Sequence, residues 1–134
     1  MKNTTKLILT VGSTLVLALA VAHAAVDPAK LPPASKKTGV TFEKDIKPLF
    51  ETSCAKCHGA EKQKGKLRVD TVAAIMRGGE SGKIVEAGNS AKSLIVHVIS
   101  GLDPDTAMPP EGKAKPLTPE QVGLVRAWID QGAK

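Results

Sequence analysis

A chain of 134 residues has room for one domain and a leader. Phe42, Phe50 and Trp128 are its only aromatics, with no tyrosine, so the side chains that usually supply much of a small core are scarce. The formal charge of +6 suits encounter with acidic partners, but no nucleic-acid-binding motif accompanies it, which argues against a nucleic-acid function.

Residues 1–24 read as a secretory signal peptide: Lys2 and Lys6 form a positive start, Leu7 to Ala22 is an apolar run, and Ala22-His23-Ala24 gives a small-x-small cleavage pattern. The run is short for a membrane span, so no stable membrane insertion is expected after cleavage. The expected location is periplasmic. Losing Lys2 and Lys6 leaves 17 of the 19 basic residues against 13 acidic ones, a net +4. Residues 25–40 are rich in proline, lysine and small side chains and show no amphipathic pattern. Pro32-Pro33 prefers extended backbone, so this segment is expected to be a flexible tether or surface strap ahead of a domain at 41–134.

From Thr41 the pattern turns helical, with Phe42, Ile46, Leu49 and Phe50 on one stripe and Pro48 kinking or restarting the helix. The helix leads to Cys54-Ala55-Lys56-Cys57-His58. Two cysteines three apart followed at once by histidine form the attachment signature for c-type haem. Within a helical turn positions i and i+3 share a face, so Cys54 and Cys57 can both reach haem vinyl groups as thioethers, and His58 is the candidate proximal iron ligand. A thioredoxin-type dithiol would need a βαβ setting that is absent from the pattern. A structural zinc site would need four ligands and so would have to recruit His97. A disulfide over so short a loop stabilises little. A buried porphyrin also answers the shortage of aromatics, since it would form part of the core and leave the haem-free chain poorly folded.

Residues 60–68 form a lysine-rich loop, and Lys56, Lys62, Lys64 and Lys66 cluster around the motif in sequence. They suit either a cationic rim for docking an electron partner or an ordinary solvated loop. Arg68 is the candidate partner of a haem propionate. Asp70 is expected to cap a short helix, Thr71 to Arg77, stopped by Gly78-Gly79. The following loop, with Gly82 and Gly88, permits backbone to approach a flat group closely. A further helix is expected from Ser90 to Ile99, then a proline-rich loop over 100–117 carrying Met108. The last helix opens with Thr118 as N-cap, Pro119 and Gln121 as a capping box. Its Val122, Val125, Trp128 and Ile129 face inward, with Val122, Trp128 and Ile129 expected to meet Phe42, Ile46 and Phe50.

Three residues downstream can occupy the sixth position on the iron: Met76, His97 and Met108. Met76 has the spacing of a core filler, and His97 sits within an apolar helix. Met108 stands on a loop stiffened by Pro104, Pro109 and Pro110, which lowers the entropy lost on fixing it. It is therefore the candidate distal ligand, and methionine opposite histidine raises the potential as electron-transfer cytochromes require.

The series Phe42…Asp45-Ile46-x-Pro48-Leu49-Phe50, Cys54-x-x-Cys57-His58-Gly59, Gly65-x-Leu67-Arg68-Val69-Asp70, Gly78-Gly79, Met108-Pro109-Pro110 and Trp128-Ile129-x-x-Gly132-Ala133 resembles class I cytochromes c. It is most similar to the cytochrome c domain of many planctomycete and verrucomicrobial proteins. The resemblance implies an all-α fold of about four helices wrapped around one covalently bound haem c, with first and last helices crossing. It also implies thioethers at Cys54 and Cys57 and axial ligation by His58 and Met108. That domain usually precedes a much larger chain, whereas this chain stops after its last helix, which favours a free-standing carrier.

The expected function is that of a soluble exported one-electron carrier rather than an enzyme: the iron changes oxidation state and no substrate bond is made or broken. The expected partners are acidic-surfaced redox proteins or membrane respiratory complexes, met by a monomer. A haem-based gas sensor or ligand-binding protein, and a small haem subunit of a larger dehydrogenase or oxidase, are the alternatives.

Overall fold

Proline has no amide hydrogen, and the approach to Cys54 is built around that deficiency. In the computed structural model, which describes residues 26–134, a π-helical turn spans Phe42–Ile46 and helix α1 spans Lys47–Ser53. The expected signal peptide at 1–24 lies outside the described residues. Pro48 falls in the first turn of α1, where its missing donor has no helical partner to lose. Of the kink or restart expected at Pro48, the helix takes the restart, in a different winding. Helix α2, Ala55–His58, follows after Cys54, whose non-helical φ of −124° separates the two. The Cys54 amide donates to the Phe50 carbonyl at 2.8 Å, and the Cys54 carbonyl accepts from Cys57 and His58 at 3.0 and 2.9 Å. The motif is thus bonded backbone to backbone before any side chain acts.

Among the described residues the structure is helical, with no strand. Helix α3, Val72–Arg77, is capped by Thr71, whose hydroxyl accepts from the Ala74 amide, and not by Asp70. Asp70 is otherwise engaged: Arg68 Nε and Nη2 donate to its two carboxylate oxygens at 3.0 and 2.6 Å. The expected helix from Ser90 divides into a 3-10 turn, Ser90–Lys92, and helix α4, Leu94–Ile99. Ser93, at the break, is fully buried and its hydroxyl accepts from the Glu86 amide at 2.9 Å. Helix α5, Pro119–Asp130, begins with the expected capping box of Thr118 and Gln121.

Helix α5 carries the centre of the core. Trp128, Ile129, Val122 and Val125 are buried, and the Trp128 ring lies 5.7 Å from that of Phe42, which meets Phe50 edge-on at 6.4 Å. All three aromatics of the chain are spent in this one cluster. Trp128 Nε1 donates to the Lys134 carbonyl at 2.9 Å, so its polar edge is satisfied where its body is buried.

The proline-rich segment before the domain lies along α5. Leu31 and Val40 are buried in the core, the Ser35 amide donates to the Gly123 carbonyl at 2.9 Å, and Gln131 spans Lys37 O and Val40 N. Arg126 donates to the Pro32 carbonyl and to Ser90 Oγ, while Ser90 in turn bonds both oxygens of Asp130. Gly123 is required by this contact: a Cβ there would stand 2.5 Å from the Pro33 carbonyl oxygen. Lys37 also reaches Asp45, and that hydrogen bond, then the one from the Thr41 amide, holds the Asp45 carboxyl below its usual value.

Two outcomes follow from the packing of this segment. Gly123→Ala is expected to destabilise the protein by about 1–3 kcal/mol, read as a lower Tm, with faster amide exchange at Ser35. Because the Asp45 carboxyl is depressed in the folded state, its stabilisation is present above the unfolded carboxylate range and lost as the pH falls through the folded value. Asp45→Asn is accordingly expected to flatten the fall of Tm between roughly pH 5 and pH 3.

Candidate cofactor site

Which ring nitrogen a histidine offers to a metal is set by the hydrogen bond the other makes. His58 Nδ1 lies 3.0 Å from the Lys64 carbonyl oxygen. A carbonyl only accepts, so Nδ1 carries the proton and Nε2 keeps its lone pair, the arrangement that orients and strengthens an imidazole ligand. The loop that supplies this carbonyl is closed by three backbone bonds: Gly59 N to Lys62 O at 2.8 Å, Lys66 N to Gln63 O at 3.0 Å, and Val69 N to His58 O at 2.9 Å. Gly65, at φ +62°, gives the loop its reversal, a conformation glycine adopts without steric cost.

His58 opens onto a cavity of about 440 Å³, within the range of sites that bury a small cofactor. Cys57 and Met108 line it too, and Leu67, Ile84, Leu94, Ile95 and Val98 form aliphatic walls. None of the three aromatics lines it. Cys54 lines a smaller recess that shares Cys57, His58 and Met108 with the main cavity. Burial pushes the Cys54 thiol up to about 11, which keeps it protonated at neutral pH. Met108 is anchored through its backbone, its amide donating to the Val98 carbonyl at 2.8 Å, and is 40% exposed. Ser53 Oγ donates to the Lys115 carbonyl at 2.7 Å, tying the loop after Met108 to the residue before Cys54.

The structure therefore brings Cys54, Cys57, His58 and Met108 to two hollows with shared walls, although His58 and Met108 are 50 positions apart in the chain. It does not bring the other candidates there. Arg68 is turned onto Asp70 in a two-point grip and does not line the cavity. That grip depresses the Asp70 carboxyl and raises the guanidinium. His97 Nε2 donates to the Ala91 carbonyl at 2.7 Å, and Met76 packs against the core. Gly88 gives its amide to Ile129 O and is not part of the lining, whereas Gly79 is. Among the described residues no group of three or more His, Cys, Asp or Glu could hold a metal ion by itself.

The residues present fit a covalently held haem. Two thiols three residues apart stand beside an apolar hollow, a histidine is tautomerically set for a metal, and a thioether lines the same wall. Two features of the site carry little signal in the sequence. The Lys64 carbonyl carries no side-chain signal in the sequence, and only the glycine amid the lysines marks a turn there. The Gly79–Gly82 turn joins the wall through the Glu80 amide, which donates to Gly65 O at 2.8 Å. A Cβ on Gly79 would stand 2.5 Å from that same oxygen. Gly79→Ala is therefore expected to displace the loop that holds His58 and to lower stability by about 1–3 kcal/mol, measured by thermal melting.

No curated protein and no solved structure shows a match to the chain. Residues 54–112 match the family described as Planctomycete cytochrome C. The matched stretch runs from the first cysteine through the His58 loop, the cavity walls and Met108 to Gly112, with α5 and the N-terminal strap outside it. The match supports a cytochrome c domain of the planctomycete type over residues 54–112, a type that implies covalent haem c, with which the Cys54 and Cys57 pair is consistent.

Proposed function

We propose that the protein is an exported one-electron carrier in which Cys54 and Cys57 tether one haem c and His58 and Met108 are its axial ligands. The observation that carries this reading is the hydrogen bond from His58 Nδ1 to Lys64 O beside a cavity that Met108 also lines. Bound there, the haem supplies reversible ferric–ferrous chemistry at a potential raised by thioether ligation. The chain's own contribution is to hold the ligands and to exclude water. His58 is held by the 59–66 loop and Met108 by Val98, and the aliphatic walls lower the local polarity that an added charge would meet.

Export rests on the reading of residues 1–24. Within the described residues no helix is long and apolar enough to cross a membrane. Lys56, Lys62, Lys64, Lys66 and Lys113 are all exposed, and Lys64 and Lys113 stand at the cavity itself. This supports docking of acidic-surfaced redox proteins or membrane respiratory complexes by electrostatic steering. Met108 is tied to α4 through its backbone, its amide donating to the Val98 carbonyl, and this leaves one second reading: a haem protein whose sixth ligand yields to a small gas.

Protein made in a host able to attach haem is expected to show a mass increase of one haem, lost when Cys54 and Cys57 are both replaced by serine. Met108→Ala is expected to abolish the weak near-infrared sulfur-to-iron band and to lower the midpoint potential. Unchanged spectra would remove Met108 from the ligand set. Carbon monoxide added to the reduced wild type separates the two readings, since rapid, complete binding at neutral pH identifies the sensor and slow or partial binding the carrier.

A further inference from the structure

A porphyrin brings two carboxylates that an aliphatic wall cannot satisfy, and buried charge without a partner is costly. We propose that Lys64 and Ser81, and not Arg68, hold a haem propionate. This inference rests on the haem reading above.

Three observations lead there. The first is orientation. Cys54, Lys56 and Ala114 line the recess beside Cys57, while Lys64, Gly65, Gly79 and Ser81 line the main cavity but not the recess. Thioethers form at the vinyl-bearing edge of the macrocycle, and the propionates hang from the other edge. A ring tethered at Cys54 and Cys57 therefore directs its carboxylates away from the recess.

The second is availability. Arg68 is saturated by the Asp70 carboxylate. Lys64 and Lys113 make no ion pair among the described residues. Lys113 also lines the recess, on the thioether side, so Lys64 is the cation left for the propionate side. The Ser81 hydroxyl makes no hydrogen bond among the described residues.

The third is that Lys64 and Ser81 are fastened together. The Gly79 and Gly82 amides close their turn on each other's carbonyls at 3.1 and 3.0 Å, and the Glu80 amide binds Gly65 O at 2.8 Å. Ser81, at the tip of that turn, is thereby carried beside the residue after Lys64. The Glu80 carboxylate passes Gly65 but is not part of the cavity lining. Lys64 would then act twice on the same group, its carbonyl fixing His58 and its ammonium neutralising a carboxylate. A haem carboxylate stripped of its cation favours the ferric state, so the charge at Lys64 is a setting of the redox potential.

The experiment uses the haem-bearing protein, with attachment verified by mass. Lys64→Gln keeps the carbonyl and removes the charge. It is expected to shift the electron equilibrium toward the oxidised form by roughly two- to tenfold and to move the propionate bending band in the resonance Raman spectrum. Lys64→Arg is expected to restore both, and Ser81→Ala to move the band in the same direction by less. Lys62→Gln, a change of the same charge at a residue outside the lining, and Arg68→Gln are both expected to leave the band in place. An unchanged band in haem-bearing Lys64→Gln, or the full effect in Arg68→Gln, overturns the assignment alone. A wild-type chain that acquires no haem overturns the cofactor reading first and this inference with it.

Discussion

The bond from His58 Nδ1 to the Lys64 carbonyl is the constraint around which the site is arranged. One proton placed on one nitrogen decides what the other can do. The bond requires the chain to double back within six residues, which the 59–66 loop does with Gly65 at its turning point. The loop in turn needs a bare backbone at Gly79, because a methyl there would stand 2.5 Å from Gly65 O. A histidine tautomer, a left-handed glycine and a close backbone crossing are therefore one feature seen at three scales.

The division of apolar material gives the fold its logic. Phe42, Phe50 and Trp128 are clustered where α5 meets α1 and the turn before it, leaving aliphatic side chains from α4 and its neighbours to wall the cavity. A small chain with few aromatics thus concentrates them where the first and last elements meet, and keeps the hollow smooth and apolar. The strap along α5 extends the same core. Leu31 and Val40 add buried area, and the Arg126, Ser90 and Asp130 network ties the strap, the 90–92 turn and α5 together. The strap and α5 lie outside the matched family stretch, and they support it from behind through shared packing.

Polar pairing inside the domain follows competition for partners. Arg68 stands near the motif in sequence and suits a carboxylate in principle, but Asp70 is two residues away and takes both ends of its fork. With Asp70 so engaged, the cap of α3 passes to Thr71. Ser93 similarly divides one expected helix into a 3-10 turn and α4, since its hydroxyl serves the Glu86 amide and the Asn89 carbonyl across the break. In each case a local side-chain bond outweighs a pattern read along the chain.

The sequence by itself determined what is local or compositional. The Cys54-x-x-Cys57-His58 signature, the capping box at Thr118 and Gln121, the stop at Gly78 and the inward stripe of α5 all depend on residues within a few positions of one another, where spacing maps directly onto geometry. Only the tertiary structure decided the pairings across long separations. It placed Met108 in the same hollow as His58, laid residues 31–40 against Gly123 and Gln131, turned Arg68 away from the cavity, and put the Lys64 carbonyl behind His58. Backbone carbonyls carry no residue identity, and a side chain with several possible partners takes the one that folding brings closest.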